Sequence, residues 1–246
     1  MQHRSKKIKK SFFIILVVLI VLSGGSAIYL GNYYHSVDVE KYMNGSSEVS
    51  VEKFDKGWFF DGAGEEKALI FYPGAKVATE AYAPLMYQLA ESGIDCFLVD
   101  MPFHMAFFGM NRAEEIMQEY NYEAWYLGGH SLGGAMAANF AAGYVEDHAD
   151  GIRGLLLLAA YPTKDLSTSD MSVVTVYGSE DGVLNMDKIV AGRELMPQDY
   201  KEVCVEGGNH AQFGSYGAQK GDGTAAIPAE EQWARTVEVF VGDESE

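Results

Sequence analysis

The chain has 246 residues, 48% of them hydrophobic and 13% aromatic, which is too apolar for a disordered chain and enough for one sizeable α/β domain. The formal net charge of −17 argues against nucleic acid as a partner, because phosphate binding needs a basic face. The charge is unevenly spread: the first ten residues hold Arg4, Lys6, Lys7, Lys9 and Lys10 and no acid.

From Phe12 to Leu30 no residue is charged. A helix of that length reaches about 28 Å, close to the thickness of a hydrocarbon core. Residues 1–10 therefore read as a basic cytoplasmic tip, 11–30 as a transmembrane signal anchor in the lipid bilayer of the cell membrane, and 31–47 as a tether. The basic cluster keeps the N-terminus cytoplasmic and places the domain, residues 48–246, outside the cell. The competing reading, secretion after signal cleavage near Ala27, exports the domain too.

The stretch "VSVEKFDKGWFFDG" alternates and turns at Asp55-Lys56-Gly57, which predicts an antiparallel hairpin. "KALIFYPG" and "DCFLVDMP" are apolar runs of buried strands, separated by a helix with Tyr82, Leu85, Met86 and Leu89 on one face. Ala113, Ile116, Met117 and Tyr120 mark a second helix. "AWYLGGHS" is a strand followed by the alanine-rich helix "LGGAMAANFAAGYVEDH". Strands "GLLLLAAYP", "VVTVYGSEDG" and "YKEVCVEGGNH" follow, with a helix over "MDKIVAGREL" between the last two and a C-terminal helix marked by Trp233, Val237 and Phe240. Strands alternating with helices predict a mostly parallel sheet with helices on both faces. Ligands on such a sheet lie beyond the carboxyl ends of the strands. Cys96 and Cys204 fall in strands far apart in that sheet and are expected as free, buried thiols.

One strand end carries unusual chemistry. "GGHSLGG", Gly128 to Gly134, places Ser131 between Gly129 and Gly133 at a strand-to-helix junction. A sharp turn there lifts the hydroxyl above the sheet and forces close backbone contacts that those glycines tolerate. The helix N-terminus beyond it favours developing negative charge. A plain helix N-cap is the structural alternative for Ser131. A serine nucleophile needs a base, and the base an orienting acid. His210, in the glycine-rich loop after the last strand, suits the base; His130 is expected to point away from its neighbour Ser131, and His3 and His35 lie ahead of the domain. Asp181, followed by Gly182, suits the acid, with Glu180 as the alternative.

The order Ser131, Asp181, His210 on successive strand ends resembles the α/β-hydrolase superfamily, most closely its small cap-less esterase and dienelactone-hydrolase-like members. The resemblance implies an oxyanion hole made by the backbone of Leu132 and of the turn after "ALIFYPG". Pro73-Gly74 replaces the frequent His-Gly there, which leaves Ala75 as the donor and Lys76 as the alternative. Only "TKDLSTSD" fills the place where many members carry a helical cap, so no large cap domain is expected. Phe103, His104, Phe107 and Phe108 are candidates to line a substrate pocket. The expected activity is serine-dependent hydrolysis of small to medium carboxylic esters, with no metal and no cofactor. An acyltransferase or peptidase using the same triad, or a non-catalytic surface binding protein on the same fold, are the alternatives.

Overall fold

The computed structural model describes residues 31–148 and 151–243. The segment read as an anchor, and the tip before it, lie outside the described residues. Among the described residues no helix is long and apolar enough to cross a membrane.

A compact unit spans Tyr34–Glu246. It takes in His35 and most of the stretch expected as a tether. Tyr34 N–H donates to Lys76 O, Ala78 N–H donates back to Tyr34 O, and Val37 N–H donates to Ser215 O. A short helix α1 (Glu40–Met43) follows. Val39 is buried against the core, and that apolar contact explains why these residues pack rather than trail.

The hairpin forms as expected, from β1 (Ser50–Phe54) and β2 (Gly57–Asp61) across the two-residue turn Asp55-Lys56. The remaining strands are β3 (Lys67–Tyr72), β4 (Asp95–Val99), β5 (Ala124–His130), β6 (Gly154–Leu158), β7 (Ser172–Gly178) and β8 (Tyr200–Val205). The eight lie in the order β1-β2-β4-β3-β5-β6-β7-β8. The pairs β1–β2 and β2–β4 are antiparallel and the rest parallel.

Alternate residues of the central strands feed two cores. Leu69, Phe71, Leu98, Leu156, Leu158, Val174 and Val176 pack with helices α2 (Ala83–Glu91) and α6 (Ala229–Asp243), through Leu85, Met86, Leu89, Trp233 and Phe240. Ile70, Phe97, Val99, Leu127, Leu155, Leu157 and Val173 face the opposite way. They meet α3 (Arg112–Glu119) and α4 (Leu132–Asp147) through Ala113, Ile116, Ala137, Ala138 and Ala141. Burial on both faces is why these strands read as continuous apolar runs rather than alternating ones.

Helix α5 (Met186–Gly192) joins β7 to β8, and Asn185 caps it by accepting Lys188 N–H. Between β6 and β7 the chain forms only turns, so no cap covers the strand ends. Cys96 on β4 and Cys204 on β8 are separated by four strands and both are free. Cys96 is buried as expected, but Cys204 is exposed, because β8 is an edge strand with one open side.

Candidate active site

Ser131 occupies the tight junction between β5 and α4. Its backbone sits at φ 53°, ψ −121°, a conformation that costs a non-glycine residue about 1–3 kcal/mol. The flanking glycines permit it. A Cβ on Gly129 would lie 2.6 Å from the backbone carbon of Gly133, and one on Gly133 would lie 2.1 Å from Tyr72 O and 2.4 Å from Pro73 O. The glycines therefore let the start of α4 rest directly on the end of β3. The Ser131 side chain accepts no hydrogen bond from the first turn of α4, which removes the N-cap explanation for this serine.

His210 follows β8 and Asp181 follows β7, adjacent parallel strands whose ends lie side by side. His210 Nδ1–H donates to Asp181 Oδ2 at 2.9 Å, and each side chain is only 2% exposed. The other oxygen, Oδ1, accepts the N–H of Val183 at 2.9 Å and of Leu184 at 2.8 Å, which fixes the carboxylate's orientation. Glu180 instead accepts from the Ser179 hydroxyl at 3.2 Å, so geometry selects Asp181 as the partner of His210.

His130 is closer to the site than its place in the sequence suggests. Its ring packs against that of His210, with centroids 4.4 Å apart, and Ser131 is the next residue. Serine and imidazole thus share one edge of the sheet. His130 is buried, and desolvation, reinforced by the His210 imidazole, pushes its pKa well below the usual value. The Tyr82 hydroxyl accepts Gly74 N–H at 3.0 Å and lies 2.7 Å from His130 Nδ1. The Tyr82 hydroxyl thus joins the turn after β3 to the ring of His130, whose other nitrogen is Nε2. Among the described residues that atom is buried with no hydrogen-bond partner. Sequence reasoning missed this link. Tyr82 reads as one more apolar position on a helix stripe, and nothing in the pattern reveals a hydroxyl aimed across 48 residues.

The backbone donors separate cleanly. Lys76 N–H donates to His104 O at 2.8 Å and is spent. Among the described residues, the N–H groups of Ala75 and Leu132 make no backbone hydrogen bond. The loop after β4 hangs on the same turn through that His104 carbonyl. Tyr72 donates to Met110 O at 2.6 Å and accepts Ala113 N–H at 3.0 Å, which anchors its far end. Phe103 and His104 both adopt positive φ, 57° and 54°. Phe103, Phe107 and Phe108 are each more than half exposed and pack on one another, with ring centroids 5.6 and 4.3 Å apart. Phe107 and Phe108 border a surface depression with Met110 and Arg112 that contains none of Ser131, Asp181 and His210. No group of His, Cys, Asp and Glu suited to a metal occurs among the described residues.

The sequence matches the alpha/beta hydrolase family over residues 68–234, and the protein belongs to that family. No curated protein sequence matches it. Among solved structures it is similar to a predicted CIB-like hydrolase from Thermoplasma acidophilum, at 13% identity and TM-score 0.59, covering 79% of this chain and 99% of that one. It is similar to Est1E from Butyrivibrio proteoclasticus at 15% identity and TM-score 0.57, covering 81% and 100%. Carboxyl esterase 2 from Tuber melanosporum matches at 12% identity and TM-score 0.59, covering 85% and 89%. At such identities the likeness is one of fold.

Proposed function

We propose that the protein is a serine hydrolase acting on small to medium carboxylic esters through Ser131, His210 and Asp181. The observation that carries the reading is the His210–Asp181 bond at 2.9 Å, buried at the strand edge where Ser131 stands in its strained turn. A buried carboxylate on Nδ1 leaves Nε2 of His210 as the base. Ser131 Oγ attacks the ester carbonyl carbon while Nε2 takes its proton. The Leu132 and Ala75 amides then hold the oxyanion, each such donor being worth about 2.7–4 kcal/mol in the barrier. His210 returns the proton to the departing alcohol, and water repeats the sequence to release the acid. The esterase names of some structural neighbours are consistent with this chemistry.

In this reading the aromatic loop of Phe103, Phe107 and Phe108, with His104, borders the acyl or alcohol group. The absence of a cap agrees with substrates of modest size. The apolar run before Gly31, with its basic tip, anchors the domain to the outer face of the cell membrane. That part rests on the sequence alone and is tested by fractionation: deleting residues 1–33 should release the protein from membranes.

A fluorophosphonate probe tests the chemistry. It should label the wild type and not Ser131→Ala, and a panel of p-nitrophenyl esters should show a preference for short and medium acyl chains. Equal labelling and equal ester turnover by the two proteins would overturn the proposal. Faster product formation with added alcohol or amine acceptors would point to acyl transfer instead.

A further inference from the structure

A third carboxylate reaches the two turns that carry the acid and the base. Asp222 lies twelve residues beyond His210, between Gly221 and Gly223. Its Oδ1 accepts the N–H of Gly182 at 3.0 Å, of Gly223 at 2.9 Å and of His210 at 3.3 Å. Its Oδ2 accepts Ala211 N–H at 2.8 Å. One side chain therefore binds the main chain of the residue after Asp181 and the main chain of His210 itself. Bonds from backbone N–H to a carboxylate are charge-assisted and stronger than neutral ones.

The surroundings are built to bring this carboxylate in. A Cβ on Gly182 would fall 2.6 Å from Gly221 O and 2.9 Å from Gly223 N, so the Gly221–Gly223 backbone lies directly on the Asp181 turn. Asn209 Nδ2 donates to Gly223 O at 2.8 Å. Gln232, fully buried on α6, grips Asn209 from the other side, accepting its N–H at 3.0 Å and donating to its carbonyl at 2.9 Å. Further back, Glu180 N–H on Gly208 O at 2.8 Å already joins the two strand ends. Asp222 adds a bridge at the level of the reacting side chains.

We propose that Asp222 is a positioning residue that locks the Asp181 and His210 turns in mutual register; the proposal rests on the triad reading above. The imidazole must gain and lose a proton in each half-reaction without swinging away from its acid. A misplacement of about 1 Å can cost on the order of 10²-fold in rate. An alanine at 222 leaves the bond between Nδ1 and Asp181 possible but frees the two turns to drift apart. An asparagine keeps Oδ1 for Gly182 and His210 and turns its amide nitrogen against Ala211 N–H, so it restores only part of the bridge.

The test uses the full chain and two readouts. With p-nitrophenyl acetate, Asp222→Ala should lower kcat by about 10- to 100-fold with KM changed less than about threefold, and Asp222→Asn should fall between. The downfield proton resonance of His210 Nδ1–H should be sharp in wild type, broadened in Asp222→Asn and lost to exchange in Asp222→Ala, at temperatures well below melting. A residue that served only overall stability would shift the melting temperature and leave kcat and the resonance of the folded protein unchanged; that result overturns the proposal. If Asp222→Ala does not fold, Asp222→Asn decides, and wild-type kcat with a wild-type resonance overturns it. The resonance reports the clamp without any turnover, so a protein that hydrolyses no ester yet loses the signal in the variants refutes the triad's esterase role and keeps the clamp.

Discussion

Gly133→Ala puts the packing of the serine turn to a quantitative test. The new Cβ would lie 2.1 Å from Tyr72 O and 2.4 Å from Pro73 O. An ordinary carbon–oxygen contact is about 3.3 Å, so the start of α4 and the end of β3 must separate by about 1 Å. Both obstructing atoms are backbone and cannot rotate aside. The cost therefore falls near the top of the usual range for overpacking, about 3 kcal/mol. For a domain of this size that lowers the melting temperature by roughly 6–12 °C. The displaced β3 end runs directly into Ala75, so the amides of Ala75 and Leu132 lose their spacing, and ester turnover should drop about 10²-fold. Gly143→Ala is the internal control, since in the same helix its Cβ meets nothing closer than Lys164 Nζ at 3.7 Å. There alanine should stabilise by about 0.5–1 kcal/mol. Differential scanning calorimetry and initial rates on both variants decide the matter. A Gly133→Ala protein that melts and turns over like wild type would refute the claim that this glycine is required by backbone contact.

Three further outcomes follow from buried groups. Tyr82→Phe strips the hydroxyl from between Gly74 N–H and His130 Nδ1, leaving two buried groups unpaired, and should cost about 1–3 kcal/mol in urea unfolding. Because burial depresses the folded pKa of His130, the unfolded chain takes up a proton below about pH 6.5 that the native state refuses, so stability should be full above that pH and fall by about 1.4 kcal/mol per unit below it. His104, its pKa also lowered by burial, adds in the same direction; His130→Asn should flatten the dependence, and an unchanged slope would contradict the assignment. An aromatic disulfide reagent should titrate one thiol, Cys204, in the native protein and two in denaturant, since Cys96 is buried with its pKa pushed well up by desolvation.

The strand-and-helix order was legible because each central element writes its own burial into the chain. Apolar runs such as Lys67–Tyr72 and Gly154–Leu158 are buried on both faces, and α2 carries its core stripe at helical spacing. Asp181 and His210 were legible for a related reason: each sits just past a strand, where a parallel sheet gathers its loops. The segment from Tyr34 to Ser47 was misread as a tether. Its few apolar residues, Val39 among them, show no period, and their partners around Val77 and Ser215 are remote in sequence. The exposure of Cys204 was missed because a strand's apolar content does not say whether it lies at the centre or the edge of a sheet.

What the sequence determined by itself was the eight strands and the longer helices, their order and the local geometry of the Ser131 turn, since hydrophobic period and glycine placement act over a few residues. The tertiary structure alone decided which carboxylate faces His210, that Lys76 N–H is consumed while, among the described residues, those of Ala75 and Leu132 make no backbone hydrogen bond, and that Tyr82, His130 and Asp222 reach the site. Those outcomes depend on hydrogen bonds between groups tens of residues apart, whose directions exist only once the sheet has brought the strand ends together.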